Sequence, residues 1–301
     1  MASTDLYEED PRNATVHVWM NGHLVPRAQA MVSVLDSGFL RGDGVWEGLA
    51  VHHGRVPFLD AHLDRLFENA RALDLDLGID RAGIRVAIDA TLLANGMMDG
   101  AHIRLMFTRG LRSTPIRITP VASGGATQIV LAEFKQPASS IYAKGITLAT
   151  VHVRCGRPDV QDPAWNVHSQ MGSVVASIAA DKVGADEGLM LDPHGFVASC
   201  NSTHFFVVRR GELWTSSGRY CRRGVTRGVV LEIAGLAGIR TRQTDFSLTQ
   251  VYGADEAFCT GTYPGILPVR SIDGRDYSLP GPITTRLREL FADRIEAECS
   301  G

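Results

Sequence analysis

The sequence predicts an α/β chain of the α+β kind, built as two domains. Three observations carry this. Strand-like and helix-like stretches are interspersed along 301 residues without strict β-α-β alternation. Lys135–Ala143 (KQPASSIYA), polar and small residues around a proline after a strand has ended, reads as a linker. A chain of this length, 45% hydrophobic, can bury one large core or two modest ones. The expected division is a small N-terminal α/β domain over 1–134, a linker over 135–143 and a large C-terminal domain over 144–301.

Each element follows from local pattern. Thr15–Met20 alternates as a strand, Asn21-Gly22 is a type I′ turn signal, and His23–Pro26 returns as the second strand of a hairpin. Phe58–Leu75 carries Leu59, Leu63, Leu66, Phe67, Ala70 and Leu73 on one helical stripe, and a second helix runs from Asp80 to Asn95 with Gly96 as its stop. His102–Thr108 and Gln128–Phe134 read as strands, and the aperiodic Gly110–Thr127 between them as a loop. Beyond the linker, Gly145–Val153 is a strand and Met171–Val183 a helix closed by Gly184. Leu189–Asp192, Phe205–Val208, Leu213–Thr215 and Glu256–Cys259 are further strands, with helices at Thr226–Leu236 and Ile283–Ala297.

Composition removes several classes of function. A net charge of −3 leaves no basic footprint for nucleic acid and no cationic face for an anionic membrane. The polar, acidic start (Asp5, Glu8, Glu9, Asp10) lacks the order of a signal peptide, and no apolar run nears the roughly 20 residues of a membrane span. Five scattered cysteines without C-x-x-C pairing or His/Cys spacing predict reduced thiols, a cytoplasmic setting and no metal site. Of the 30 basic residues only three, Lys135, Lys144 and Lys182, are lysines. Any chemistry that requires an amine side chain has those candidates alone.

Five blocks in order resemble the class IV aminotransferases, the fold type IV pyridoxal phosphate (PLP) family of branched-chain and D-amino acid aminotransferases and aminodeoxychorismate lyase. They are Val32–Leu49 (VSVLDSGFLRGDGVWEGL), Asp60–Leu66 (DAHLDRL), Gly184–Asp192 (GADEGLMLD), Arg223–Glu232 (RGVTRGVVLE) and Ala254–Val269 (ADEAFCTGTYPGILPV). The resemblance, from about Val16 to Leu290, implies a two-domain chain, a cofactor cleft and a homodimer.

The resemblance implies an intact phosphate cup. Arg65 takes the phosphate-arginine position, where a fixed cation with bidentate donors suits a dianion. Val225 and Thr226 open a helix whose N-terminus can receive an anion, and Gly261 with Thr262 completes the cup. Each of these also has an ordinary reading, an exposed helix arginine or a turn with an N-cap.

The chemical end departs from the family. There a lysine about 18 to 20 residues before the Gly-Ala-Asp-Glu segment carries PLP as a Schiff base; counting back from Gly184 reaches Ala164 or Asn166. Lys182 stands roughly 15 residues further on, more than about 20 Å along a helix. The family's glutamate against the pyridine nitrogen falls on Ser199 within Val197–Phe206. A hydroxyl cannot supply the charge that makes the ring an electron sink.

The pocket would then be lined by Trp46, Trp165, His168, Ser169, Ser199, Cys200, Asn201 and His204. His168 is the acid–base candidate, Cys200 a nucleophile only where a neighbour lowers its pKa, and Arg104 or Arg109 a carboxylate ligand. The expectation is a repurposed, Schiff-base-independent enzyme of specialised metabolism acting on an anionic small molecule. No covalently bound PLP is expected, while noncovalent PLP, pyridoxamine phosphate (PMP) or another phosphate-bearing ligand remains open. A non-catalytic ligand-binding homologue and a conventional aminotransferase whose lysine lies elsewhere are the alternatives.

Overall fold

A computed structural model describes residues 9–116, 124–279 and 281–300. The chain forms two compact units. The first holds residues 9–136 together with Trp165–Gln170, and the second Pro137–Ala164 with Met171–Ala297. The crossing at Gln136 falls inside the segment read as a linker, but part of that segment, Ser140–Lys144, is a short helix, α4. The return of Trp165–Gln170 to the first unit was not visible in the sequence.

The first unit is one antiparallel sheet in the order β2-β1-β5-β4-β3, with two helices on it. Its strands are β1 (His17–Met20), β2 (His23–Pro26), β3 (Gly44–Val51), β4 (Ala101–Thr108) and β5 (Thr127–Phe134). The β1–β2 turn has Asn21 and Gly22 both at positive φ, 48° and 93°, as a type I′ hairpin requires. A short helix α1 (Ser37–Arg41) is capped by Asp36, whose side chain accepts from the Gly38 amide. Helix α2 (Leu59–Ala72) buries Leu63, Leu66 and Ala70. Helix α3 (Arg81–Asn95) starts where Asp80 accepts from the Gly83 amide and ends on Gly96 at φ 60°. Val45, Leu49, Ile103, Leu105 and Phe107 meet those helix residues in one core. Part of the Gly110–Thr127 loop lies outside the described residues.

The second unit is a mixed sheet in the order β11-β10-β9-β12-β13-β6-β7-β8, with β14 beside β13. In chain order its strands are β6 (Ile146–Arg154), β7 (Glu187–Leu191), β8 (Val197–Cys200), β9 (His204–Arg209), β10 (Glu212–Thr215), β11 (Thr241–Gln243), β12 (Glu256–Gly261), β13 (Gly265–Ile272) and β14 (Arg275–Asp276). Helices α5 (Met171–Asp181), α6 (Val225–Leu236), α7 (Leu248–Tyr252) and α8 (Pro282–Cys299) complete it. Strands β7 and β8 are buried along their whole length, so they read as apolar runs without alternation. Phe206 and Phe258 stack on adjacent strands with centroids 5.0 Å apart.

Candidate functional site

The candidate residues form two groups, one within each unit. In the first unit they lie on β3, β4 and the returning segment. Backbone pairing runs from the Trp46 amide to the Asn166 carbonyl (3.1 Å) and from the His168 amide to the Gly44 carbonyl (3.0 Å), so 165–168 extends the sheet beyond β3. The Trp46 indole N–H closes the link by donating to the Val167 carbonyl at 3.0 Å. Glycine at 44 is required here, because a β-carbon would run into the His168 ring and the Phe107 carbonyl.

Asn166 is 1% exposed. Its Nδ2 donates to the Trp46 carbonyl at 2.5 Å and lies 3.5 Å from Glu47 Oε1, while its Oδ1 is buried without a hydrogen-bond partner among the described residues. Ala164 instead sits in a half-buried turn, its amide donating to Asp162. Trp165 packs against the core of this unit.

On the other side of β3, Glu47 is fully buried and takes both Arg65 and His62. Arg65 donates from Nε to Oε1 (2.8 Å) and from Nη2 to Oε2 (2.6 Å), and His62 Nδ1 is 2.7 Å from Oε2. Burial pushes the Glu47 carboxyl up, but Arg65 and His62 outweigh it and hold the group below its ordinary range. Helix α2 supplies both partners three residues apart on its inward face, where i and i+3 are neighbours. Arg65 is therefore a fixed cation before any ligand arrives.

Opposite Glu47, the Arg104 guanidinium lies over the Trp46 ring, 3.2 Å from its centroid. His102, on the same face of β4, lies against Gly48, and its imidazole is held down to about 3 by burial, then by Lys135 and Arg104. Burial and Arg104 likewise lower His168, whose Nε2 is buried without a partner among the described residues. Two imidazoles held neutral thus flank one stacked arginine. His102 and Glu47 were missed by sequence reasoning; a charge inside the apolar run of β3 was the available signal for Glu47.

Arg109 does not share that face. It donates to Asp43 at 2.9 and 3.1 Å and to the carbonyls of Leu73 and Asp74 at 2.9 and 2.7 Å, which makes it a clamp on the end of α2. Of the two arginines considered for a carboxylate, the geometry favours Arg104.

In the second unit, β9 and β12 pair so that His204 lies opposite Thr260. The His204 ring packs against Gly224 and its Nε2 donates to the Arg222 carbonyl at 2.8 Å. This brings the start of α6, Gly224-Val225-Thr226, towards the end of β12, which Gly261 closes and Thr262 follows. Helix α6 begins at Gly224 with no side-chain cap, leaving its first amides for an anion. Thr260 Oγ1 is buried with no partner among the described residues.

Ser199 donates its hydroxyl to the Thr203 carbonyl at 2.9 Å. Asn201 bonds Gly188 through both its side chain (2.6 Å) and its amide (3.1 Å), a structural role. Cys200 is buried beside Cys259, their sulfurs 3.7 Å apart. Burial, then Cys259, pushes the Cys200 thiol up. That environment opposes the thiolate a nucleophile needs, so the nucleophile reading of Cys200 finds no support here.

A family model described as amino-transferase class IV matches residues 44–272. The chain belongs to the class IV aminotransferase family. It is 36% identical over 279 residues to a putative branched-chain-amino-acid aminotransferase of Methanocaldococcus jannaschii, covering 92% of this chain and 95% of that one. It is 37% identical over 285 residues to branched-chain-amino-acid aminotransferase-like protein 2 of Arabidopsis thaliana, covering 93% of this chain and 50% of that protein. The chain thus spans about half the length of that plant relative. Among solved structures, the branched-chain aminotransferase of Thermoproteus uzoniensis with norvaline superposes with a TM-score of 0.85 at 30% identity, covering 94% of this chain and 96% of that one. The T.th. branched-chain amino acid aminotransferase with pyridoxamine 5′-phosphate gives 0.87 at 28% identity, covering 95% of each.

The residues present fit such a cofactor in part. The uncapped α6 start and the unsatisfied Thr260 hydroxyl suit a phosphate group. No lysine lies between Lys144 and Lys182, and Ser199 offers a hydroxyl already given to a carbonyl.

Proposed function

We propose that this chain is a repurposed member of its family that binds a phosphate-bearing ligand noncovalently and acts on an anionic small molecule without a lysine-linked cofactor. The observation that carries the reading is Asn166. On this reading it stands in place of the Schiff-base lysine, with its amide spent on the Trp46 carbonyl.

In the second unit the phosphate is received by the α6 start at Val225 and Thr226 and by Gly261 and Thr262. In the first unit Arg65, held by Glu47, is a separate fixed cation suited to an anionic group. Arg104, a cation stacked on the Trp46 ring, is the group of the first unit to orient a carboxylate or similar anion of the substrate. His168, neutral at physiological pH and beside that arginine, is the group to accept or return a proton. With Ser199 in place of a carboxylate, that position offers a pyridine nitrogen a hydroxyl and no charge. A homodimer is part of the same proposal; Met31, Val34 and Phe39, 77%, 70% and 73% exposed, support an apolar assembly face on the first unit.

One observation favours a non-catalytic binding role: the His168 Nε2 is buried, which restricts its access to a substrate. A His168→Gln substitution separates the two readings. Activity on phosphorylated and carboxylate-bearing metabolites that falls at least 100-fold in H168Q, with ligand affinity unchanged, supports the enzyme. Ligand binding without turnover on any such compound supports the second reading. PMP or PLP should bind reversibly, be removed by dialysis, and weaken at least tenfold in Thr226→Val.

A further inference from the structure

Three side chains that the proposed function does not use converge inside the second unit. Glu187 comes from β7, Cys200 from the end of β8 and Cys259 from β12. They are 1%, 5% and 0% exposed, and one donor atom of each lies within 4.8 Å of the other two.

The two sulfurs are 3.7 Å apart. Two thiolates bound at about 2.3 Å to a tetrahedral zinc lie about 3.8 Å from each other. A disulfide requires about 2.05 Å, so the spacing matches shared coordination of an ion and not a bond between the sulfurs. The carboxylate is held by a further layer: the Ser202 hydroxyl donates to Glu187 Oε1 and the Thr203 hydroxyl to Oε2. Outer hydroxyls that fix a carboxylate are the usual support of a metal ligand.

We propose that Glu187, Cys200 and Cys259 form a buried site for one thiophilic divalent cation of the zinc class, with two thiolate ligands and one carboxylate. Binding forms two metal–sulfur bonds and one metal–oxygen bond and releases the two thiol protons to solvent. The fourth position is left to an oxygen ligand. The sequence predicted no metal because the ligands come from three strands and share no short spacing; pairing within the sheet assembles them. The site is built on the core of the unit, so the ion serves structure.

Cobalt titration of the reduced, full-length protein tests this. One equivalent of Co²⁺ should give a thiolate-to-cobalt charge-transfer band with intense tetrahedral ligand-field absorption, and one equivalent of Zn²⁺ should abolish both. Cys200→Ser and Cys259→Ser should each remove the charge-transfer band or halve it. Glu187→Gln should weaken affinity at least tenfold while keeping a thiolate band. Cys155→Ser and Cys221→Ser should leave the spectrum unchanged, and far-ultraviolet circular dichroism checks that each variant is folded. Absence of the band in the wild-type protein, its full retention in the Cys200→Ser/Cys259→Ser double variant, or a Cys200–Cys259 disulfide in the mass spectrum of protein purified without reductant would overturn the proposal.

Discussion

The Arg65 guanidinium closes on the buried Glu47 carboxylate through two parallel bonds, Nε at 2.8 Å and Nη2 at 2.6 Å. The pair fixes the arginine on α2 against β3, and His62 occupies the remaining side of the same carboxylate. Removing one partner of a buried pair leaves an uncompensated charge, at a cost of about 3–5 kcal/mol. Glu47→Gln should therefore lower stability by that order in chemical denaturation. It should also loosen Arg65, which loses the acceptor of its Nε and Nη2 bonds.

The same carboxylate sets an acid limit. Its pKa is lower in the fold than in the unfolded chain, so its contribution is complete above the ordinary glutamate range, about 4.3, and is lost as pH falls through the lower folded value. Denaturation at pH 5 and pH 3 should show the wild type losing stability that E47Q has already lost, so the gap between the two proteins narrows at pH 3.

His102 acts at higher pH. Held down to about 3 in the fold, it stays neutral where the unfolded chain's imidazole, near 6.5, takes a proton. Between those values the unfolded state binds more protons, so this group makes stability fall on acidification, by at most about 1.4 kcal/mol per pH unit. Proton NMR of the His102 ring should show no titration between pH 5 and 8, whereas His102→Gln should flatten the stability profile over the same interval.

Asn166→Asp places a carboxylate against the Trp46 carbonyl and beside Glu47, where an amide now donates. An unpaired buried acceptor costs about 1–3 kcal/mol and more when charged. The variant should be destabilised by at least about 2 kcal/mol at pH 7 and partly recover at pH 4, as protonation restores a donor. Hydrogen exchange should accelerate at the His168 amide, which pairs the same segment to Gly44.

Gly224→Ala tests the second unit's anion site. The backbone there, φ −67°, suits any residue, but a β-carbon would enter the His204 imidazole. Displacing that ring breaks its bond to Arg222 and shifts the start of α6. PMP affinity should drop at least tenfold with stability changed by about 1–2 kcal/mol.

Much of this was legible in the chain because the signals are local. Asn21-Gly22 declares its turn, and Asp80 and Gly96 declare both ends of α3. The family motifs single out Arg65, Val225 and Thr226 in the sequence, to which the structure adds the Glu47 pair of Arg65 and the uncapped start of α6. Strand β3 was not legible: Gly44–Val51 is buried at all but two positions, so alternation is lost, and its interior Glu47 reads as polar until His62 and Arg65 are seen around it. Segment 165–168 pairs with residues some 120 positions earlier, a relation no local pattern encodes. The roles first considered for Arg109 and Cys200 changed for the same reason. Asp43 claims the arginine from 66 residues away, and Cys259 faces the thiol from 59.

The most direct test of a lysine-independent site is reduction of the PLP-treated protein with borohydride, followed by peptide mass spectrometry. Added PLP should give no Schiff-base absorption and no phosphopyridoxyl mass above background on Lys135, Lys144 or Lys182. A stoichiometric phosphopyridoxyl adduct on any one of those lysines would contradict it.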